Sequence, residues 1–159
     1  LSNFSDQTDT LINSTEFNVP GEKEYQQALI SHSLEDNSQE RYLRQAVAQG
    51  HIQAKLRLGE LLWSQQHSPE SLNEIITLLE PAAHAGFSKA SYILALMNLS
   101  GIGVEQDNQK GAYWLQLSAI QGSKEAMARL AERYARGVGD PNNPLLFQYW
   151  LDRSSGIEK

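Results

Sequence analysis

The sequence predicts an all-α fold, a solenoid of stacked helical hairpins, and three observations carry that prediction. Gly50, Gly86 and Gly122 recur at an unbroken 36-residue step. Their flanks recur with them, as Ala46-Val47-Ala48-Gln49, Ala82-Ala83-His84-Ala85 and Ser118-Ala119-Ile120-Gln121. Apolar or small columns keep the same register: Leu58, Leu94 and Leu130; Gly59, Ala95 and Ala131; Tyr42, Leu78, Trp114 and Trp150; Leu43, Leu79, Leu115 and Leu151. A period of this size marks supersecondary units that each leave an apolar face uncovered and bury it against a neighbour.

Taken in order, residues 1–20 are rich in Ser, Asn, Thr, Asp and Gln and read as a flexible polar leader. Asn3-Phe4-Ser5 and Asn13-Ser14-Thr15 fit the glycosylation pattern, which arises easily by chance in such a composition. Pro20-Gly21 marks the boundary. Tyr25, Ala28, Leu29 and His32 then fall at helical spacing, predicting a first helix over 22–32. A second is predicted over 39–49, with Tyr42, Leu43, Ala46 and Val47 on one face and Gly50 as its C-cap. Each later unit reads as helix A, loop, helix B, glycine. The A helices are expected at 52–64, 88–99 and 124–136, and the B helices at 69–85, 108–121 and 144–155. Pro69 and Pro144 suit first-turn positions, where a missing N–H costs nothing. Gly156 is placed to cap the last helix. The implied organisation is a partial repeat over 21–50 and full repeats over 51–86, 87–122 and 123–156.

Composition narrows the function classes. The chain has 159 residues, 13 Lys and Arg against 19 Asp and Glu, and a formal charge of −6. No Lys/Arg cluster stands out, which argues against nucleic acid as the partner. Cysteine is absent, so neither disulfide nor thiolate chemistry is available. No apolar run approaches the roughly 18 residues of a membrane span, so insertion into a membrane is not expected. Leu1 in place of an initiator methionine suggests processing or trimming.

The middle unit carries a pattern: Ala90, Leu94-Ala95, Gly101-Ile102-Gly103-Val104, Asp107, Lys110-Gly111-Ala112, Tyr113-Trp114, Ala119 and Gly122. It resembles the Sel-1-like repeat family, whose helix-turn-helix units are related to tetratricopeptide repeats. The resemblance covers roughly 39–156 and is partial outside the middle unit. There the glycine loop becomes Ser64-Gln65-Gln66-His67-Ser68-Pro69 or Gly137-Val138-Gly139-Asp140-Pro141. It implies a right-handed α-α superhelix of about three and a half units. It also implies a protein-interaction scaffold or adaptor, in bacteria often in envelope or signalling assemblies, which favours an exported or periplasmic setting over a cytoplasmic one. Physically, the loop glycines supply positive φ, Asp107 is placed to cap helix B, and the Ala/Gly columns let helices approach closely.

Catalysis finds little support. No P-loop, Gly-x-Ser-x-Gly, His-Glu-x-x-His, Ser-x-x-Lys or EF-hand pattern occurs. His32, His51, His67 and His84 sit singly and read as solvated or capping side chains rather than metal ligands. Glu60 and Glu132 are equivalent positions two units apart, too distant for a hydrolase acid pair, and are expected to be exposed. Some cysteine-rich relatives in the family are linked to β-lactam chemistry, but those cysteines are missing here. The chain is read as a non-enzyme without cofactor or metal.

Solenoids of this kind bind mainly along the concave face made by successive A helices. The register places Gln53, Leu56, Glu60 and Trp63 there, followed by Lys89, Tyr92, Leu96 and Leu99, then Glu125, Ala128, Glu132 and Arg136. Within that set Trp63, Tyr92, Leu96 and Leu99 form an expected solvent-facing cluster of the kind that anchors a protein or peptide segment. Packing between neighbouring A helices, or under the leader, is the alternative for the same residues. A carbohydrate or cell-wall module stacking Trp63 and Tyr92 on sugar rings is the other functional reading. Asn98-Leu99-Ser100 also fits the glycosylation pattern, but Asn98 falls on an inward column beside Leu62 and Tyr134.

Overall fold

The computed structural model describes residues 19–31, 37–65, 68–137 and 144–157, with the side chains of Pro144 and Phe147 left aside. Asn3, Asn13, His32, His67, the segment Val138 to Pro141 and the leader up to Asn18 lie outside the described residues. Among those described, every regular element is helical. The helices are α1 (Glu22–Ile30), α2 (Ser38–Ala48), α3 (Ile52–Ser64), α4 (Pro69–His84), α5 (Ser88–Ser100), α6 (Asn108–Ile120), α7 (Lys124–Ala135) and α8 (Pro144–Ser154). They pair as hairpins α1/α2, α3/α4, α5/α6 and α7/α8, and the second helix of each hairpin packs on the first helix of the next. α3 also touches α5 directly. The fold is a helical-repeat solenoid.

The glycine column sets this stacking. Gly50, Gly86 and Gly122 take φ of 85°, 102° and 103°, which side chains rarely adopt. At each, the glycine N–H donates to the carbonyl three residues back and the next N–H to the carbonyl five back. Gly122 N–H thus reaches Ala119 O at 3.0 Å, and Ser123 N–H reaches Ser118 O at 3.0 Å. This is the Schellman arrangement, which satisfies the orphan carbonyls at a helix end. Gly156 and Ile157 repeat it after α8. The motif also explains why α4 and α6 end one residue earlier than predicted. Ala85 and Gln121 serve as C-caps rather than as helical residues.

Helix starts are equally local. Ser68 and Ser71 form a reciprocal capping box with Pro69 in the first turn of α4. Asp107 accepts from the Gln109 and Lys110 N–H groups at 3.0 and 2.9 Å. Ser123 caps α7 through Ala126 N–H. α1 stops at Ile30 instead of running to His32, and the Ser31 hydroxyl donates to the Gln27 carbonyl at 2.8 Å.

One apolar core runs from Tyr25 to Trp150. The leucine columns Leu58, Leu94, Leu130 and Leu43, Leu79, Leu115 are fully enclosed, and Gly59, Ala95 and Ala131 lie behind them. Two expectations fail at the edges of the stack. Leu29 is exposed although Tyr25 and Ala28 are buried, and Leu151 is 38% exposed although its three column mates are buried. Leu29 sits just off the core-facing stripe of α1, and Leu151 belongs to a B helix over which no described A helix packs. Asn98 is buried, and its amide donates to Leu94 O at 2.8 Å, in keeping with its inward column.

Polar bonds lock the central interface. The Ser91 hydroxyl donates to Gln121 Oε1 at 2.7 Å, the Gln121 amide donates to Ala83 O at 2.8 Å, and the Ser118 hydroxyl donates to Ser88 O at 2.8 Å. Ser91 and Ser118 are fully buried, so these bonds offset their desolvation.

Two stability outcomes follow. A Cβ at Gly86 or Gly122 would meet nothing within 4 Å, so Gly122→Val isolates backbone strain. It should cost roughly 1 to 3 kcal/mol in urea unfolding, and an unchanged midpoint would contradict the turn. Trp114 is buried, edge-on to His84 at 5.4 Å, and its Nε1 makes no hydrogen bond among the described residues. Trp114→Ala should therefore cost about 3 to 5 kcal/mol, and Trp114→Phe far less, because no hydrogen bond is lost with the indole.

Candidate interaction surface

The first helices of the hairpins, α1, α3, α5 and α7, form one layer, and the residues left over from core packing make its outer face. Between α1, α3 and α5 lies a hollow of about 250 Å³ lined by Tyr25, Gln53, Leu56, Arg57, Glu60, Phe87 and Lys89. Glu60 is half-buried rather than exposed as expected. It receives Lys89 Nζ from α5 at 3.3 Å and Arg57 from its own helix at 3.7 Å. The pairing neutralises a carboxylate that the neighbouring apolar walls partly desolvate.

A second hollow of about 250 Å³ opens between α5, α6 and α7, with Leu99 and Leu115 at its floor and Arg129, Glu132, Arg133 and Arg136 around it. Leu99 fills the gap over Gly111, where a Cβ would lie 2.5 Å from its Cδ2. Glu132 is exposed and pairs with Arg136 one turn on. Between the two hollows, Arg129 on α7 donates to the Tyr92 hydroxyl on α5 at 2.7 Å and lies 5.8 Å from its ring centre.

The predicted surface residues thus divide. Gln53, Leu56, Glu60 and Lys89 gather at the first hollow, and Glu132 and Arg136 at the second. Trp63, Tyr92, Leu96 and Glu125 line neither. Trp63, Tyr92, Leu96 and Leu99 do not form a freely exposed cluster: all four are half-buried, and Trp63, Tyr92 and Leu99 pack against the core. Arg129 of the next A helix lies against Tyr92, and Leu99 packs over Gly111 of its own hairpin, which is the packing alternative in part. Sequence reasoning missed Arg57, Arg129 and Arg133. Arg57 and Arg129 share a column whose middle member, Ile93, is buried, and that mixed column concealed a surface position.

His51 anchors the start of this layer. It caps α3, with the Ala54 N–H donating to Nδ1 at 3.1 Å, so the ring carries its proton on Nε2 and donates to Glu22 at 2.8 Å. Its ring stacks on Tyr25 with centroids 4.6 Å apart. It is therefore a buried capping histidine, not a solvated one. His84 is exposed beside Trp114 and bonded to Glu80 O. Among the described residues no group of three or more His, Asp or Glu is placed to hold a metal ion, and no helix is long and apolar enough to cross a membrane.

The Sel1 repeat family pattern matches residues 88–123 and 124–155. Residues 88–155 carry two Sel1 repeats. Sel1 repeats are generally protein–protein interaction modules, and the proteins built from them are typically scaffolds rather than catalysts. Solved Sel1-type structures share the fold. One is a Sel1 repeat protein from Oxalobacter formigenes, with a TM-score of 0.74 and 22% identity over 87% of this chain and 59% of that one. Another is c5321, a protective antigen present in uropathogenic Escherichia coli strains and described as displaying an SLR fold, with a TM-score of 0.73 and 26% identity over 85% of this chain and 30% of that one. This Sel1 chain therefore spans 59% and 30% of the lengths of these two bacterial neighbours. No curated protein matches the sequence.

The Glu22 contacts give a pH outcome for the first hairpin and its junction with α3. Hydrogen bonds from Gln26 and then His51 hold the Glu22 carboxyl below its ordinary 4.5. A depressed carboxyl contributes stability above its unfolded value and loses it as pH falls through the folded one. The melting-temperature gap between wild type and Glu22→Gln should be present at neutral pH and close as pH drops below 4.5. A gap that persists in strong acid would show that packing, not ionisation, carries the contact.

Proposed function

We propose that the outer face of α3, α5 and α7 binds a segment of a protein partner, which makes this Sel1 array a non-enzymatic scaffold. The observation that carries the reading is the pair of hollows, one at the α3/α5 boundary and one at the α5/α7 boundary, each with an apolar floor and a charged rim. Gln53, Leu56, Glu60 and Lys89 contact the partner at the first, Glu132 and Arg136 at the second, and Tyr92 between them, with Trp63, Leu96 and Glu125 flanking. Half-buried apolar side chains framed by polar ones suit a binding hot spot, because the rim excludes water from the centre. The setting we assign this scaffold, a bacterial envelope or signalling assembly with an exported location favoured over a cytoplasmic one, follows from the family resemblance of the sequence.

The carbohydrate reading finds less support. Stacking on a sugar needs an open aromatic face, and Arg129 already lies over Tyr92 while Trp63 packs on the core.

The test is capture from a bacterial lysate followed by amide hydrogen exchange on the purified complex. The captured partner should protect α3, α5 and α7 in preference to α2, α4 and α6, and Tyr92→Ala/Lys89→Glu, with helical circular dichroism intact, should lose it. Equal capture by that variant, or protection confined to the B helices, would overturn the assignment.

A further inference from the structure

Charge is unevenly shared among the helices. α3, α5 and α7 carry six lysines and arginines against three glutamates, in a chain whose net charge is −6. α4, in the other layer, carries three glutamates and no lysine or arginine. The imbalance concentrates at the second hollow. Three guanidinium groups, of Arg129, Arg133 and Arg136, surround Leu99 and Leu115 with one carboxylate among them. Glu132 is engaged by Arg136, and Arg129 donates to the neutral Tyr92 hydroxyl. Arg133 is half-buried and has no ion pair among the described residues. The first hollow shows the same sign, with Arg57 and Lys89 sharing the single carboxylate of Glu60.

A guanidinium binds a carboxylate through two parallel N–H···O bonds, and here Arg129 is exposed and Arg133 half-buried beside the apolar floor. We infer that the segment bound here is acidic and apolar together: an Asp or Glu side chain sits between Arg129 and Arg133 while a neighbouring leucine- or phenylalanine-sized side chain covers Leu99. A phosphodiester backbone fits less well. Glu60, Glu125 and Glu132 are interleaved with the cations along the layer and would repel a continuous line of phosphates, and a phosphate chain leaves the apolar floor unfilled. The inference rests on the partner-binding reading of this face and adds the chemistry of the partner to it.

The test selects a random dodecapeptide library on the whole chain, makes the recovered peptides synthetically, and locates them by hydrogen exchange. The expected result is enrichment of Asp or Glu beside Leu or Phe, with protection on α5 and α7. Affinity should drop about tenfold or more in Arg129→Gln/Arg133→Gln, recover in part in Arg129→Lys/Arg133→Lys, and weaken as salt rises. Neutral or basic peptides protecting the same helices would overturn the acidic preference and leave the interaction face standing. Acidic peptides that bind the glutamine variant equally well would place their site elsewhere and overturn the inference. Displacement of the peptides by polyuridylate RNA would overturn it in favour of phosphate. Recovery of no peptide that protects α3, α5 or α7 would overturn the interaction face itself.

Discussion

Everything in this fold depends on a turn that glycine alone makes cheaply. After each B helix the backbone swings to positive φ, two N–H groups fold back onto the helix they have just left, and the chain departs into the next A helix at a set angle. Because the turn recurs at a constant step, the hairpins from α3 to α7 meet their neighbours through the same apolar columns. Tight packing at those columns is a result of this geometry. Leucines at Leu58, Leu94 and Leu130 bury fully because the turn presents each of them to the same kind of partner surface.

The same geometry decides which residues remain for recognition. On each A helix one stripe faces its own B helix and another faces the preceding hairpin, so only a narrow strip is left outside. On α3, α5 and α7 that strip is rich in arginine and lysine with aliphatic residues between. Long cationic side chains suit this position, since their stems cover apolar neighbours while their heads reach water or an anion. Arg129 over Tyr92 and Lys89 beside Glu60 also tie successive A helices across the repeat boundary, so the surface offered to a partner is held by its own contacts.

How legible was this in the sequence? The helices and their order were, because the glycine step and the leucine columns are local signals repeated in register. α3 begins and ends where the spacing places it. The Asp107 cap and the buried Trp114 were legible for the same reason. Depth of burial was less so. A column states which way a side chain points, whereas burial depends on what the next hairpin lays over it. Leu151 looks like Leu115 in sequence and differs in exposure, and the Tyr92 hydroxyl finds its partner in Arg129, 37 residues away. His51 shows the same limit: its capping role is local, but its bond to Glu22 and its stack on Tyr25 come from a hairpin that breaks the repeat register.

Gln121 stands just past the end of α6, and its two amide atoms reach the end of α4 and the first turn of α5, so a single residue joins two hairpins. In a stack whose stability is a sum of unit terms and nearest-neighbour terms, such a clasp raises the coupling between units relative to the strength of either. The Gln121 clasp thus adds to the coupling of the α3/α4 and α5/α6 hairpins, as Glu22 with His51 does between α1 and α3 and Arg129 with Tyr92 between α7 and α5. Each boundary is clasped by a different set of side chains, although the sequence period is uniform.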